Sequence, residues 1–346
     1  MTEVTNQIYT NGKKIPLALA VFLATDHYDF DPDTLSATAI IKPIRQSILK
    51  RRVPVERQLT DIDSLIQSRV GTSIHDGIEK AWTGNYRYAM AQLGYPKEII
   101  DRIKINPDPE QLAPEDVPVY MEQRHYRNIE VGGKTFRISG KMDFIADGVV
   151  QDYKSTIAFT YKHGTKLEDF KLQGSIYRWL APHIITGDYI FIHYIFMDWA
   201  KYKVKSEENY PPSRCVSDKI DLLTLEETEA YIRDKLSALL AQQDLPEEEI
   251  TRCTDKELWR EDDVWKYFKN PKNAGVAGKR STANFPPSKG GAQAAHARYV
   301  KDGSVGTVIH RKGQVKACKY CAGFHACTQK DEYIADKTLT FDDELA

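Results

Sequence analysis

The stretch from Phe136 to Ser155, FRISGKMDFIADGVVQDYKS, constrains the fold more than any other part of the chain. Two strand-like runs flank Asp147-Gly148, a dipeptide that favours a two-residue hairpin because such turns need residues that tolerate a positive φ. Asp143 and Asp152 lie at equal distances from that turn. An in-register hairpin therefore makes them direct cross-strand neighbours, with Cβ atoms roughly 5 Å apart.

Strand alternation adds a lysine to these two carboxylates. Lys154 follows Asp152 by two residues, so both side chains lie on the same face of the strand. Two carboxylates this close repel each other, and one of them stays protonated unless a cation lies nearby. The hairpin therefore predicts a site for a metal ion.

The whole chain has the composition of an ordinary globular protein. It has 346 residues, of which 41% are hydrophobic and 28% charged, enough for one large domain or two smaller ones. No run reaches the roughly 18 apolar residues of a membrane span, and the N-terminus lacks the charged-then-apolar order of a secretory signal. Five cysteines, three of them near the C-terminus, favour a metal site over a disulfide framework. We expect a cytoplasmic protein with no membrane partner.

The order of predicted elements is helix, strands, helix, strand, helix, which is typical of an α/β core with a central mixed sheet flanked by helices. The clearest amphipathic helix begins at Thr224, with Glu227 completing a capping box. The predicted organisation has four segments. They are a helical lead-in (1–60), the core (61–245), a basic region with the cysteine cluster (246–330) and an acidic tail (331–346).

The C-terminal region carries a strong positive charge. From Val264 to Lys330 there are thirteen Lys and Arg residues and one acid, Asp302, which gives this segment a net charge of +12. A solvated basic surface is one interpretation. Aromatic residues interleaved with the charges favour nucleic acid instead, because bases stack on such rings. These residues are Trp265, Tyr267, Phe268, Phe285 and Tyr299.

Taken together, several residues form a pattern that is more specific than any of them alone. In chain order they are His75, Asp143, Asp152-Tyr153-Lys154, Gln173 and Tyr177. The sequence here resembles the PD-(D/E)xK nuclease superfamily, in its branch of RecB-type and Cas4-type exonucleases, many of which are encoded by phages. The matching pieces are GTSIHDGIE, GKMDFIADGVVQDYKS and LQGSIYRWL, and CKYCAGFHAC extends the match towards the C-terminus.

This resemblance implies a restriction-endonuclease-like core and a metal centre. His75, Asp143, Asp152 and the backbone carbonyl of Tyr153 would bind one or two Mg²⁺ or Mn²⁺ ions. Oxygen ligands suit these cations, and the imidazole shifts the preference towards Mn²⁺. A bound metal would activate a water molecule and stabilise charge on the scissile phosphate.

The resemblance also assigns roles to three other side chains. Lys154 would orient the attacking water or help to deprotonate it. Gln173 and Tyr177 match the family's fourth motif, whose helix adjoins the active site and contacts DNA or the catalytic lysine.

The C-terminal cysteines match the resembled enzymes only in part. There, a triplet like Cys318, Cys321 and Cys327 joins a cysteine near the N-terminus to hold a [4Fe–4S] cluster, but no cysteine precedes Cys215 in this chain. KPIRQ (42–46) stands where a cysteine-containing element is expected. Three interpretations stay open. A cluster takes its fourth ligand from Cys215, Cys253 or a histidine; Zn²⁺ is bound by the triplet and His325; or the cysteines are simply buried.

Three functions are compatible with these observations. The first is a metal-dependent DNA exonuclease acting at strand ends or on single strands. The second is a structure-specific or restriction-like endonuclease on the same core, and the third is a non-catalytic DNA-binding scaffold subunit. The intact Asp143, Asp152 and Lys154 argue against the scaffold. Because no P-loop signature is present, ATP-driven unwinding would require a partner such as a helicase or recombination protein.

Overall fold

Two units interleave along the sequence of the computed structural model, which describes residues 8–25, 31, 33–54, 57, 59–276 and 278–341. The first unit consists of residues 1–42 and 58–240, and the second of residues 43–57 and 241–346. We call them the sheet unit and the cysteine unit. Residues 43–57, which belong to the predicted lead-in, group with the C-terminal part of the chain. The four predicted segments otherwise stay a prediction.

Helices and strands alternate in groups along the chain. The helices are α1 (Leu17–Ala24), α2 (Ala37–Ile41), α3 (Ile44–Lys50), α4 (Ile66–Gln92), α5 (Lys97–Arg102), α6 (Ala158–His163), α7 (Leu167–Leu180), α8 (Leu225–Gln242), α9 (Gly291–Lys301) and α10 (Gln329–Ala335). The strands are β1 (Ile8–Thr10), β2 (Thr34–Ser36), β3 (Leu59–Asp61), β4 (Ile103–Ile105), β5 (Val117–Val131), β6 (Lys134–Ala146), β7 (Val149–Thr156), β8 (Tyr189–Phe196), β9 (Cys215–Asp221), β10 (Val264–Phe268), β11 (Ala283–Phe285) and β12 (Thr307–Arg311).

The sheet unit contains a mixed sheet with strand order β4-β5-β6-β7-β8-β9, and β2 pairs with β6. Strand β6 pairs antiparallel with both β5 and β7, whereas β7 and β8 are parallel and are joined through α6 and α7. Parallel neighbours need such a crossover, which carries α7 over the sheet. The predicted α/β core with a mixed sheet flanked by helices is confirmed.

Two apolar clusters lie on opposite faces of this sheet. The larger one joins residues of α2, α7 and α8 to the sheet, including Ile176 and Val150, which are fully buried. The smaller one joins Trp82 of α4 to Phe144 and Tyr153. Val150 and Tyr153 are three residues apart on β7, so alternation directs them to opposite faces. The predicted capping box of α8 is confirmed, since Thr224 and Glu227 exchange hydrogen bonds of 2.9 and 3.1 Å.

The hairpin around Asp147-Gly148 forms as the sequence predicts. Both turn residues have a positive φ, +49° and +74°, as a type I′ turn requires. Beyond the turn, the last bonded pair of β6 and β7 is Phe144 with Gln151. Asp143 and Asp152 therefore lie one position past the end of the ladder, in the predicted register.

In strands β5 and β6, the alternation of side chains between the two faces of the sheet is interrupted at a single position. Met142 packs in the cluster beneath α7, but Phe144, two residues further on, packs with Trp82 on the other face. In a regular strand, these two residues share a face. The switch lies at Glu122 and Asp143, which are opposite each other but absent from the ladder, and Glu122 has a φ of +54°. Left-handed backbone at a non-glycine residue costs about 1–3 kcal/mol, and in the middle of a strand it needs compensation from the surrounding structure.

The cysteine unit is built around a smaller antiparallel sheet with order β11-β10-β12, against which α9 packs. A separate apolar cluster forms from Leu258, Val315, Tyr333 and Leu339. Two half-buried cysteines, Cys253 and Cys318, pack against this cluster. The unit therefore has a core of its own, and that core reaches the cysteines.

The prediction that the aromatic residues of the basic segment stack on bases is wrong for two of them. Tyr267 is fully buried and Phe268 is 5% exposed, so neither ring is available for base stacking. Trp265 stacks on His310 with ring centroids 4.5 Å apart. Acidic residues outside the segment also neutralise part of the +12 charge through the ion pairs Lys312–Asp336 and Lys316–Glu261. Across the residues described, no helix is long and apolar enough to cross a membrane.

Candidate active site

His75 links the helix α4 to the two strands of the hairpin. Its Nε2 donates to the carbonyl oxygen of Tyr153 at 2.9 Å, and its Nδ1 lies 3.2 Å from Oδ2 of Asp143. Burial opposes a charged ring, but the hydrogen bond and charge of Asp143 outweigh it, so the pKa of His75 is raised. The structure therefore brings three of the four predicted metal ligands into direct contact.

Asp152 is the most deeply buried charged group of the site, with 2% of its surface exposed. Its Oδ2 lies 2.6 Å from Nζ of Lys154, which makes a close ion pair inside the site. Burial raises the pKa of Asp152 to about 6; Lys154 acts in the opposite direction, and Asp143 adds to the rise.

Lys154 is held beside that carboxylate and under α7. Burial, the largest single effect, would lower its pKa, but the charge and hydrogen bond of Asp152 and the charge of Asp143 together outweigh burial and raise the pKa. Its Nζ also lies 5.6 Å from the centre of the Phe170 ring on α7. The lysine therefore keeps its proton at neutral pH, which makes it a fixed cation and a hydrogen-bond donor.

Gln173 and Tyr177 lie on α7 as predicted and bond to each other. Gln173 Nε2 donates to the Tyr177 hydroxyl at 2.8 Å. The Tyr177 ring lies over Gly140 of β6, where a Cβ atom would come within 2.8 Å of it. The contact of Tyr177 with Gly140 packs α7 against β6, the strand that carries Asp143. Phe170, also on α7, contacts Lys154. Their predicted role towards DNA stays a prediction.

One acidic residue of the site was missed at the level of sequence. Ligand atoms of His75, Glu122 and Asp143 all lie within 4.8 Å of one another. Glu122 is equally far from the Gly132-Gly133 turn as Asp143, so the mirror argument used for the Asp147-Gly148 turn finds it. Carboxylate oxygens, a carbonyl oxygen and one imidazole form a donor set that fits Mg²⁺ or Mn²⁺.

A second group of metal-ligating side chains lies in the cysteine unit. Four cysteines line one cavity of about 30 Å³: Cys253, Cys318, Cys321 and Cys327. Burial raises the pKa of the Cys253 thiol to about 12 and that of Cys318 to about 11. These thiols are therefore neutral unless a metal binds to them.

The cavity also contains the segment that stands in place of the expected N-terminal cysteine. Arg45 and Gln46 line it, and Arg45 Nε donates to Sγ of Cys327 at 3.3 Å. Cys215, one of the predicted alternatives, is exposed on β9 of the sheet unit. His325 does not line the cavity, and its ring packs edge-on against Phe324 at 5.4 Å. Among the predicted fourth ligands, the structure places Cys253 with the triplet.

Comparisons with known proteins give little beyond this geometry. No family model and no curated protein matches the chain. The solved structure of SSO0001 is 18% identical with a TM-score of 0.38, covering 64% of this chain and 81% of the other. A phage related exonuclease from Haemophilus somnus 129PT is 13% identical with a TM-score of 0.21, covering 35% of this chain and 63% of the other. Scores this low carry no argument about function, so the chemistry rests on the site itself.

Proposed function

We propose that this chain is a metal-dependent deoxyribonuclease that hydrolyses phosphodiester bonds at DNA ends or in single strands. The observation that carries the proposal is the convergence of His75, Asp143 and the Tyr153 carbonyl, with the buried carboxylate of Asp152 opposite Asp143 in the same hairpin. Lys154 adds a fixed cation at the same place. Carboxylates beside a protonated lysine suit a reaction in which negative charge grows on a phosphate.

Each side chain has a distinct part in this reaction. The chemistry that a bound Mg²⁺ or Mn²⁺ supplies is a lower pKa for water and stabilisation of phosphate charge. Asp143, Asp152 and His75 would hold the ion. Lys154, kept protonated by Asp152, donates hydrogen bonds to the attacking water and neutralises charge on the phosphate. The raised pKa of Lys154 in the metal-free protein favours orientation of the water over general-base catalysis.

We predict that a divalent cation stabilises the fold more at about pH 7.5 than at about pH 5.5. The folded-state pKa values of Asp152 and His75 are both raised. Their contributions to the stability of the metal-free protein are therefore fully present at low pH and are lost as the pH rises, for Asp152 from about 4 to 6. A metal ion replaces these protons, and it does so most easily when they are already gone.

Thermal unfolding with and without MgCl₂ or MnCl₂ measures this effect. At roughly a hundredfold excess over Kd, the metal should add about 3 kcal/mol to the free energy of unfolding near neutral pH. Asp143→Asn should abolish the gain, and Asp234→Asn, a change at an exposed position of α8, should leave it intact. An equal gain at both pH values would contradict the assignment of these groups.

The mode of attack is tested by the form of the DNA. We expect linear DNA to be degraded in the presence of Mg²⁺ or Mn²⁺, while a covalently closed circle of the same sequence survives. Cleavage of the circle at an equal rate would identify the restriction-like endonuclease. Binding of DNA without hydrolysis of either form would identify the scaffold. Single- and double-stranded versions of each substrate report strand preference in the same assay.

We also propose that the cysteine unit holds a [4Fe–4S] cluster through Cys253, Cys318, Cys321 and Cys327. Four cysteine thiolates are the usual ligands of such clusters. A tetrahedral Zn²⁺ with bonds of roughly 2.3 Å requires sulfur atoms roughly 3.8 Å apart. Four thiols around one cavity are also a ligand set for Zn²⁺, so iron and zinc analysis of the purified protein decides between the two groups.

A further inference from the structure

Glu122 and Lys141 form an ion pair at the edge of the candidate metal centre. The carboxylate of Glu122 is close enough to His75 and Asp143 to share a metal ion with them. The same carboxylate contacts the ammonium group of Lys141, whose side chain is 45% exposed, against 20% for Glu122. One carboxylate thus faces both the metal centre and a solvent-accessible cation.

The backbone conformation of Glu122 departs from that of a regular strand. Its left-handed φ of +54° removes it from the β5–β6 ladder at the position opposite Asp143. A residue whose only role is an ion pair at the surface needs no such distortion, and ion pairs between exposed side chains contribute little to stability. The distortion is explained if Glu122 must turn towards the ligands of a cation.

We propose that Glu122 is an additional ligand of the divalent cation, and that metal binding releases Lys141 to contact a backbone phosphate of the DNA strand. This inference rests on the proposed nuclease function. A cation on Glu122 neutralises the charge that holds Lys141. The ammonium group then lies beside the metal centre without its carboxylate partner and can bind a phosphate. Arg124 is the cross-strand partner of Lys141 in the β5–β6 register. A phosphate at this position therefore meets two basic side chains.

The exchange links metal binding to DNA binding. If metal loading supplies one more cation to the DNA, the metal strengthens DNA binding, and DNA strengthens metal binding by the same factor. Phosphate contacts of this kind position the strand without reading its sequence. Strands β5 and β6 would then guide the DNA towards the scissile position.

The first test measures the binding of Mn²⁺ alone by titration calorimetry. We expect Glu122→Gln to weaken Mn²⁺ binding by about tenfold or more. Lys141→Met should bind Mn²⁺ at least as tightly as the unmodified protein, because a competing ammonium group has been removed. The matched controls are Glu130→Gln, an exposed carboxylate on the same strand, and Lys134→Met on β6. Unchanged Mn²⁺ affinity in a folded Glu122→Gln variant would overturn the ligand assignment.

The second test is the salt dependence of binding to a single-stranded phosphorothioate oligonucleotide, which resists hydrolysis. In the unmodified protein, Mn²⁺ should steepen the slope of log K against log[salt] by about 0.7, the value for one more phosphate contact. Glu122→Gln should show the steeper slope already without metal. Lys141→Met should show no change on metal addition, and Lys134→Met should behave as the unmodified protein.

The outcomes separate this inference from the nuclease proposal. If the protein degrades DNA but Mn²⁺ leaves the slope of the unmodified protein unchanged, Lys141 is not released and the exchange is wrong. If no DNA is degraded and the Mn²⁺ titrations still follow the expected pattern, the nuclease proposal fails and the ligand assignment stands. Should Glu122→Gln fail to fold, Lys141→Met alone still tests the exchange, since it leaves Glu122 in place.

Discussion

Replacing Asp152 by Asn should lower the rate of metal-dependent DNA hydrolysis by about a thousandfold or more. The change removes a carboxylate that would bind the metal and at the same time removes the charge that holds Lys154 in place. Lys154→Met should cause a loss of similar size, because both side chains serve the same phosphate. Single-turnover cleavage of a labelled linear DNA measures both losses.

The fold should survive this substitution. The pKa of Asp152 rises from 3.8 to about 6 in the folded state, so its ionised form costs the fold about 3 kcal/mol at neutral pH. Asparagine removes that cost, while Lys154 loses its ionised partner, an effect of opposite sign. Asp234→Asn is the matched control and should retain full activity. If both Asp152→Asn and Lys154→Met keep more than about a tenth of the rate, the site assignment is wrong.

The second large effect is expected at Cys253. Cys253→Ser should abolish the iron content of the purified protein and its visible absorbance. The substitution leaves three cysteine ligands, so one iron atom of the cluster has no thiolate. The midpoint of thermal unfolding should fall as well, since metal binding and folding of such a unit are coupled. Anaerobic purification, iron analysis and absorption spectra measure these changes.

Cys215→Ser is the matched control for that experiment. Cys215 is exposed on β9, outside the cavity that the other cysteines share. The control should keep the iron, the colour and the thermal midpoint of the unmodified protein. Zinc in place of iron would establish a mononuclear site instead. A protein without any bound metal would mean that the four thiols are structural.

Local turn chemistry explains why the carboxylate pair of the candidate site can be predicted from the sequence. The Asp147-Gly148 turn fixes the register of its hairpin, and that register places Asp143 and Asp152 opposite each other without help from the rest of the fold. His75 followed only from the resemblance to a nuclease family. Its contact with Tyr153 spans 78 residues and depends on how α4 packs, which no local pattern encodes.

The register argument also reaches Glu122, because Glu122 and Asp143 are equally far from the Gly132-Gly133 turn. The left-handed backbone at Glu122 is an irregularity that strand periodicity cannot show. Cys253 was one of several alternatives because nothing in its spacing ties it to the C-terminal triplet. Tyr267 and Phe268 were assigned to a DNA-stacking surface, yet aromatic residues in a strand fill a core just as often, and in this protein they do.

Arg45 has a consequence for how the chain folds during its synthesis. Its contact with Cys327 closes a loop of 282 residues. At a synthesis rate of roughly 5–20 residues per second, Cys327 is synthesised roughly 15 to 55 s after Arg45. The contact of α3 with Cys327 cannot form before then. Leu49, buried in the finished protein, lies against Gly323, so this contact also forms only at the end of synthesis. Nascent chains stalled before residue 241 should therefore be unusually prone to chaperone capture and aggregation.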